Sequence, residues 1–454
     1  MPLPGEIAVS QSAVTIVMTS ASLVSLGVLV PALRRARAAG DVDAAAALVF
    51  GTAALVCLPM ALVAFSGGVV RRFDAFRELA TTFPSWYPMA TDLSRLALGA
   101  LAAALLLRRV RSGSVQVHAA GLLAIGLWGV AQLATGLRDD PRLSLGAGVL
   151  LVCLVAATVL PRGRGACLGA GLFGVTLAIA GAALALVRHD VAFVVPCEGA
   201  CGGLGFTGVL PNENLLGIVL AAAVPFAYLG FRGGARAWFA VYLAGMAIAT
   251  GSRTAIAAAL ITLAALLVVR PAMEAGRRVG ARGTVAGVVL AAALAGSVLI
   301  VTSDGELADL TDRPALWQVA SEQIERSPWF GHGTGTWETL YSSSQIPRAA
   351  QRTSHNQWMD VLFVAGVVGA ALFVAMLGAA LLSAGTARAG AMLALATVLM
   401  IGATEGGWSI GVLDLLSFSL LALLLTGAAR AGPPPPGRTV STWTSGQATD
   451  SARW

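Results

Sequence analysis

The chain has 454 residues, of which 57% are hydrophobic and 12% are charged, and its formal net charge is +7. About a dozen apolar stretches approach the length of a membrane span, more than any water-soluble core accommodates. Composition therefore excludes a soluble enzyme and predicts an all-α, polytopic transmembrane helical bundle. All thirty basic residues are arginine, and no basic helix with interleaved aromatics indicates nucleic-acid binding.

Apolar runs predict thirteen membrane spans, or twelve if neighbouring runs merge. The first run has no basic segment before it, so we expect it to stay in the membrane and not to be cleaved as a signal peptide. Alanine and glycine dominate the spans, which indicates a GC-rich genome and not a physical requirement of the fold. The predicted spans are 12–32, 44–65, 93–108, 115–136, 143–160, 167–187, 213–230, 237–250, 253–269, 283–302, 357–382, 387–404 and 408–428.

Arginine placement predicts the orientation of the chain. With the N-terminus outside, the inner connections and the C-terminal tail hold eighteen arginines and the outer connections about twelve, in agreement with the positive-inside rule. The long hydrophilic loop before the eleventh span is then extracytoplasmic, and the tail, rich in proline, serine and threonine, is disordered in the cytoplasm. The predicted regions are the helices of 1–187, 188–302 and 357–429, the outer loop 303–356 and the tail 430–454.

Cysteine placement leaves two alternatives open on the outer side. Cys197 and Cys201 lie four positions apart in a predicted outer connection, where oxidation to a local disulfide or two free thiols are both consistent with the sequence. A zinc site needs further ligands, and only His189 is near in the chain. We therefore expect no metal.

The outer loop contains a predicted helix followed by a glycine run. Residues 309–326 have helical spacing, with Asp312 as a possible cap. Glycines then alternate in the segment 331–336, where they permit unusual backbone angles and the close approach of a ligand. The alternative is a simple turn between two loop helices. A dinucleotide site is excluded because no strand precedes these glycines.

A histidine lies where the outer loop returns to the membrane, in Ser354-His355-Asn356-Gln357-Trp358. Histidine titrates near neutrality, so this position suits proton transfer at the membrane surface. A purely structural role at a helix end is the alternative. Asp360 lies about 140° around a helix from His355 and is not expected to orient the ring.

The glycine run and the histidine segment belong to a longer ordered set of residues. The set is Gly208-Val209-Leu210-Pro211-Asn212-Glu213-Asn214, Gly251-Ser252-Arg253-Thr254-Ala255, Arg313, Trp317, Ser327-Pro328-Trp329-Phe330-Gly331-His332-Gly333-Thr334-Gly335-Thr336, His355-Asn356, Gly366 and Gly369. Together these residues resemble the signature region of the O-antigen ligase family, which also includes O-antigen polymerases and protein O-oligosaccharyltransferases. The resemblance covers about residues 200–380 in order, and the first half of the chain resembles the family only in consisting of spans.

The resemblance implies a membrane glycosyltransferase that acts on the outer face of the cytoplasmic membrane without a metal or cofactor. Such proteins move a glycan from an undecaprenyl diphosphate carrier to an acceptor hydroxyl. A leaving diphosphate gains negative charge, which arginine can meet with paired hydrogen bonds. The implied roles are general base for His355, diphosphate binding for Arg253 and Arg313, and support or glycan binding for Asn356, Asn212, Gly333 and Gly335.

Each of these roles has a structural alternative. Arg253 could snorkel to the membrane surface, and Arg313 could pair with Asp309 or Asp312. Asn212 and Asn214 could cap the following helix, and we expect capping from Asn214. His332 could contact substrate, although the resemblance lies in the glycines around it.

One departure from the family pattern limits the transfer of detail. Its members often carry an arginine just before the glycine and asparagine segment, where this chain has none, and Arg188 is the candidate substitute.

A polymerase using the same donor remains an alternative to a ligase. A secondary transporter of an anionic lipid or glycan is the alternative from another class, with Asp414 as the acid inside its last span.

Overall fold

A computed structural model of the chain describes residues 4–68, 70–73, 79–113, 115–138, 144–193, 205–274, 281–302, 313–342 and 354–427. Cys197, Cys201, Asp309, Asp312 and the predicted tail 430–454 lie outside these residues. Sixteen α-helices lie within them: α1 Pro4–Ala38, α2 Ala44–Ser66, α3 Tyr87–Arg111, α4 Ala119–Gly136, α5 Leu145–Val159, α6 Arg164–Val187, α7 His189–Ala192, α8 Glu213–Gly230, α9 Gly234–Thr250, α10 Arg253–Glu274, α11 Ala281–Thr302, α12 Arg313–Arg326, α13 Thr336–Ser342, α14 Gln357–Ser383, α15 Arg388–Gly402 and α16 Ser417–Leu425.

The prediction of an all-α, polytopic membrane bundle is confirmed. Within the described residues, ten helices are long and apolar enough to cross a membrane. Each of the thirteen predicted spans coincides with a helix. Three of these helices are shorter than the ten that can cross a membrane: α5, α9 and α16, with 15, 17 and 9 residues. The last predicted span, 408–428, is corrected to α16 because the glycine-rich segment before it forms turns.

Two short strands join α2 to α3, which the hydropathy pattern does not predict. Strand β1 is Val70–Phe73 and strand β2 is Leu79–Thr82. They pair antiparallel, with Val70 opposite Thr82. This sheet lies outside the spans and does not change the helical class of the fold.

Glycine allows close helix packing at the centre of the bundle. Helix α8 is enclosed, and its residues 216–228 are all buried. A Cβ atom at Gly171 of α6 would lie 2.5 Å from Cα of Ala227 in α8, and one at Gly169 would lie 2.5 Å from the carbonyl oxygen of Ala46 in α2. Small residues let membrane helices approach in this way. Genome composition alone therefore does not account for glycine at these contacts.

Arginines join neighbouring helices at the end of the bundle that is predicted to be cytoplasmic. Arg232 makes a paired ion contact with Asp41, with N to O distances of 2.6 and 3.0 Å. Arg164 donates to the carbonyl of Gly230 at 3.1 Å. These contacts satisfy helix-end carbonyls and one carboxylate, while the orientation of the chain itself stays a prediction.

His118 links two helices at this same end. Its backbone N–H donates to the carbonyl of Thr158, and its Nε2 atom lies 2.9 Å from the carbonyl oxygen of Leu160. The contact gives His118 a structural role that its sequence context does not suggest.

Candidate active site

The candidate site is built at the N-terminus of α14, where Asn356 caps the helix. Its Oδ1 atom accepts hydrogen bonds from the backbone N–H groups of Trp358 at 2.9 Å and Met359 at 3.2 Å. The residue before the cap, His355, has a φ angle of 51° and is the one non-glycine residue with positive φ in the described part of the chain. Histidine tolerates this angle better than most residues.

Three consecutive residues connect this cap to the turn that follows α15. The Nδ1 atom of His355 lies 2.9 Å from Oε2 of Glu405. The Asn356 amide donates to the carbonyl of Ala403 at 3.0 Å, and the Gln357 amide donates to the carbonyl of Trp408 at 3.1 Å. The 354–357 segment and the 403–408 turn are therefore fixed to each other.

His355 is the accessible member of its segment. The side chain of His355 is 19% exposed, whereas Ser354, Asn356 and Gln357 are exposed by 1% or less. The Asn356 amide bonds backbone groups through both its oxygen and its nitrogen. Of the two roles predicted for Asn356, its burial and bonding favour support of the site over contact with a glycan.

Glu405 is the residue of this cluster that sequence reasoning missed. Asp360, as expected, does not orient the histidine, because its carboxylate accepts from the hydroxyl of Ser354 at 2.6 Å. Glu405 contacts the ring instead. One signal was present in the sequence: Glu405 is the sole acidic residue between Asp360 and Asp414, and it lies between two predicted spans.

Arg253 lies beside the same turn. It is the first residue of α10 and is exposed. The hydroxyl of the next residue, Thr254, lies 2.7 Å from the hydroxyl of Thr404, which precedes Glu405. Among the described residues, the Arg253 guanidinium has no hydrogen-bond or ion-pair partner. The structure therefore brings Arg253 and His355 to one end of the bundle.

Arg313 begins the loop helix α12, and its side chain lies outside the described residues. Helix α12 packs on the site through Trp317, which is buried and whose indole N–H donates to the carbonyl of Ser354 at 2.8 Å. The backbone of Arg313 is thus about one helical turn from a contact with the histidine segment.

The glycine run packs against protein at a break in α14. The helix has a non-helical residue, Gly366, with φ 62° and ψ −164°. Around this break, Gly333 N–H donates to the carbonyl of Val364 at 2.9 Å, and Val367 N–H donates to that of Pro328 at 2.8 Å. Backbone groups opened in a membrane helix need such partners. The run is therefore more than a turn between loop helices.

The two candidate glycines differ in what lies close to them. Gly333 has φ 76°, and a Cβ atom there would lie 2.3 Å from the backbone nitrogen of Thr135, so this close approach is to helix α4. Gly335 has φ 79° and is exposed, and a Cβ atom there would meet Arg138 alone, at 3.8 Å. His332, which precedes both, directs Nε2 at the carbonyl of Gln323, 2.6 Å away.

Asn212 caps α8. Its side-chain oxygen accepts from the backbone N–H of Leu215 at 2.7 Å. This corrects the expectation that Asn214 is the cap, since Asn214 is exposed inside the first turn. The cap requires extended backbone, which Asn212 has with φ −147° and ψ 162°.

Arg188 and Asp414 are both engaged by near neighbours. Arg188 forms a paired contact with Asp190 at 3.1 and 3.0 Å, and this hydrogen bonding holds the pKa of the Asp190 carboxyl below its usual range. The geometry does not favour Arg188 as a substitute phosphate ligand. Asp414 accepts from the hydroxyl of Ser417 at 2.7 Å.

Within the described ranges, no group of three or more His, Cys, Asp or Glu residues is arranged to hold a metal ion.

Comparison with known proteins supports the resemblance predicted from the motifs. Residues 238–374 match the family described as O-antigen ligase. The chain is also 34% identical over 137 residues to an O-antigen ligase of Pseudomonas aeruginosa, an alignment that covers 30% of this chain and 31% of the relative. Arg253, Arg313 and His355 lie inside the matched range, whereas Asn212 and Glu405 lie outside it. The resemblance to the O-antigen ligase family is therefore confirmed, and residues 238–374 carry it.

Proposed function

We propose that this protein transfers a glycan from an undecaprenyl diphosphate carrier to an acceptor hydroxyl, as a membrane glycosyltransferase of the O-antigen ligase type. The observation that carries the proposal is the position of His355, an accessible histidine held 2.9 Å from Glu405. This pair lies beside an exposed arginine, and the histidine and the arginine belong to the segment that matches the family. The site combines the regions 188–302, 303–356 and 357–429.

Arg253 and Arg313 bind the diphosphate in this proposal. Breaking the glycosidic bond leaves negative charge on the diphosphate oxygens, and fixed cations stabilise that charge. Arg253 supports this role through its exposure and its lack of a partner among the described residues. Arg313 begins α12, where the positive end of the helix dipole also favours an anion.

His355 acts as the general base. A lone pair of the acceptor oxygen forms the new bond to the anomeric carbon, and the bond from that carbon to the diphosphate oxygen breaks with its electron pair. The hydroxyl proton passes to the imidazole, which releases it to the departing diphosphate or to water. Transfer thus needs the base and the cations within one site. His355 and Arg253 can meet this need because they lie at the same end of the bundle.

Of the remaining candidate residues, three support the structure of the site and one can contact the glycan. Asn356 holds the histidine segment, Asn212 holds the start of α8, and Gly333 allows the loop to pack on α4. Gly335 is exposed, so it is the glycine at which a glycan can approach the backbone closely. The outer face is proposed as the location of the site because the arginine-rich connections lie at the opposite end of the helices.

The test uses purified protein in lipid vesicles with an undecaprenyl diphosphate-linked glycan and a hydroxyl-bearing acceptor. Release of undecaprenyl diphosphate together with a glycosylated acceptor is expected. Movement of intact glycolipid across the bilayer without bond cleavage would contradict the proposal and favour a transporter. Growth of the glycan on a second carrier molecule, in place of transfer to another acceptor, would identify a polymerase.

A further inference from the structure

Glu405 is held by contacts of its own backbone and of the two residues before it in the chain. Its backbone N–H donates to the carbonyl of Ile401 at 3.0 Å, which continues the last turn of α15. The preceding Thr404 is tied to Thr254 at 2.7 Å, and the carbonyl of Ala403 accepts from the buried Asn356 amide. The backbone that carries the carboxylate is thus fixed by contacts other than the one with the histidine.

His355 is equally constrained from its own side. Ser354 and Asn356, its two neighbours, are fully buried, and the φ angle of 51° fixes where the ring leaves the backbone. Both partners of the contact are partly exposed, with side-chain exposures of 19% for His355 and 12% for Glu405. The pair therefore lies at the edge of the packed core, where a substrate can reach it.

Hydrogen-bond chemistry assigns the direction of this contact. An ionised carboxylate can only accept hydrogen bonds, so the Nδ1 atom of His355 is the donor. A neutral imidazole with its proton on Nδ1 carries its lone pair on Nε2. The ring is then presented as a base through Nε2.

We infer that Glu405 is a positioning residue, which holds His355 in the tautomer with the proton on Nδ1 and stabilises the imidazolium that forms when Nε2 accepts the proton of the acceptor hydroxyl. The inference rests on the proposed function, in which His355 is the base. Glu405 touches neither the glycan nor the diphosphate in this scheme. Asp360 does not share the role, because Ser354 occupies its carboxylate.

Steady-state kinetics with matched variants provide the first test. Glu405→Gln keeps the size of the side chain and removes its charge, and Glu338→Gln makes the same change at an exposed glutamate of α13. We expect Glu405→Gln to lower kcat on the order of a hundredfold, with KM for the donor within about twofold of the unchanged protein. Glu338→Gln should alter neither constant. An unchanged kcat in Glu405→Gln would overturn the inference.

Nitrogen NMR of the histidine rings shows whether Glu405 sets the tautomer of His355 or only supports the local structure. The chain has four histidines, so ring-labelled protein in nanodiscs gives few signals, and His355→Asn identifies the one of interest. The His355 signal should show the proton on Nδ1 in the unchanged protein and in Glu338→Gln, and a loss of that preference in Glu405→Gln. The same tautomer in Glu405→Gln would overturn the inference.

Two further outcomes remain informative. If Glu405→Gln does not fold, Glu405→Asp is measured in its place, since the shorter side chain lengthens the contact and should shift the same two readouts. If His355→Asn transfers glycan at the full rate, the general-base proposal fails regardless of Glu405. In that case the tautomer measurement still reports whether Glu405 positions the ring.

Discussion

The hydroxyls of Thr254 and Thr404 lie 2.7 Å apart and join the start of α10 to the turn after α15. Each threonine is next to a residue of the candidate site, Arg253 on one side and Glu405 on the other. This one hydrogen bond thus holds Arg253, which is proposed to bind the diphosphate, near Glu405, whose carboxylate contacts the proposed base. The cation and the base are held by different helices but share this junction.

Replacing Arg253 should slow transfer. Arg253→Gln removes a charged donor, which typically costs about 1.5–3 kcal/mol of stabilisation and corresponds to a loss in kcat/KM of about 10- to 160-fold. Arg253→Lys should recover part of this loss, because lysine keeps the charge and lacks the paired geometry. Transfer assays on Arg326→Gln, an exposed arginine at the end of α12, provide the control. Equal rates for Arg253→Gln and Arg326→Gln would show that Arg253 only snorkels.

Gly366→Ala should detach the loop from the break in α14. The backbone of Gly366 has a conformation that only glycine adopts easily, and an added Cβ would lie 2.4 Å from the carbonyl oxygen of Trp329. We expect a loss of at least about 2 kcal/mol in stability, seen as a lower unfolding temperature in detergent, together with reduced transfer. Gly378→Ala is the control in the same helix, since a Cβ there meets nothing within 4 Å. Equal unfolding temperatures for the two variants would disprove the packing role.

Replacing Asn212 should lower the stability of the protein and should not weaken substrate binding directly. Asn212→Ala removes the α8 cap and is expected to cost about 1 kcal/mol, whereas Asn212→Ser keeps a capping oxygen and should cost little. Thermal unfolding and the donor KM are measured for both, with exposed Asn214→Ala as the control. A raised KM in a stable Asn212→Ser protein would instead indicate that the amide contacts the glycan.

Transfer should persist after removal of divalent cations. In the proposed mechanism arginine side chains meet the charge of the leaving diphosphate. Dialysis against a chelator, followed by assay in chelator-containing buffer, is expected to leave the rate within about twofold of the starting value. Loss of activity that returns on adding Mg²⁺ or Mn²⁺ would contradict the assignment of this role to Arg253 and Arg313.

The spans could be predicted from the sequence because hydropathy is a local property of the chain. The histidine segment and Arg253 could also be identified locally, since both lie at the ends of apolar runs. Glu405 could not be assigned, because it meets His355 across 50 positions through the packing of α14 and α15. Nor could the role of Gly366, because the backbone groups opened around it bond to a loop more than thirty residues earlier.

The central claim is that His355 is the base for glycan transfer, and His355→Asn tests it most directly. Asparagine tolerates the positive φ of 51° at this position but cannot accept a proton near neutral pH. The measurement is the rate of undecaprenyl diphosphate release in vesicles, at saturating donor and acceptor, with the unfolding temperature as a check on folding. We predict a fall of about 10²- to 10⁴-fold in a folded variant. Release at the rate of the unchanged protein would contradict the account.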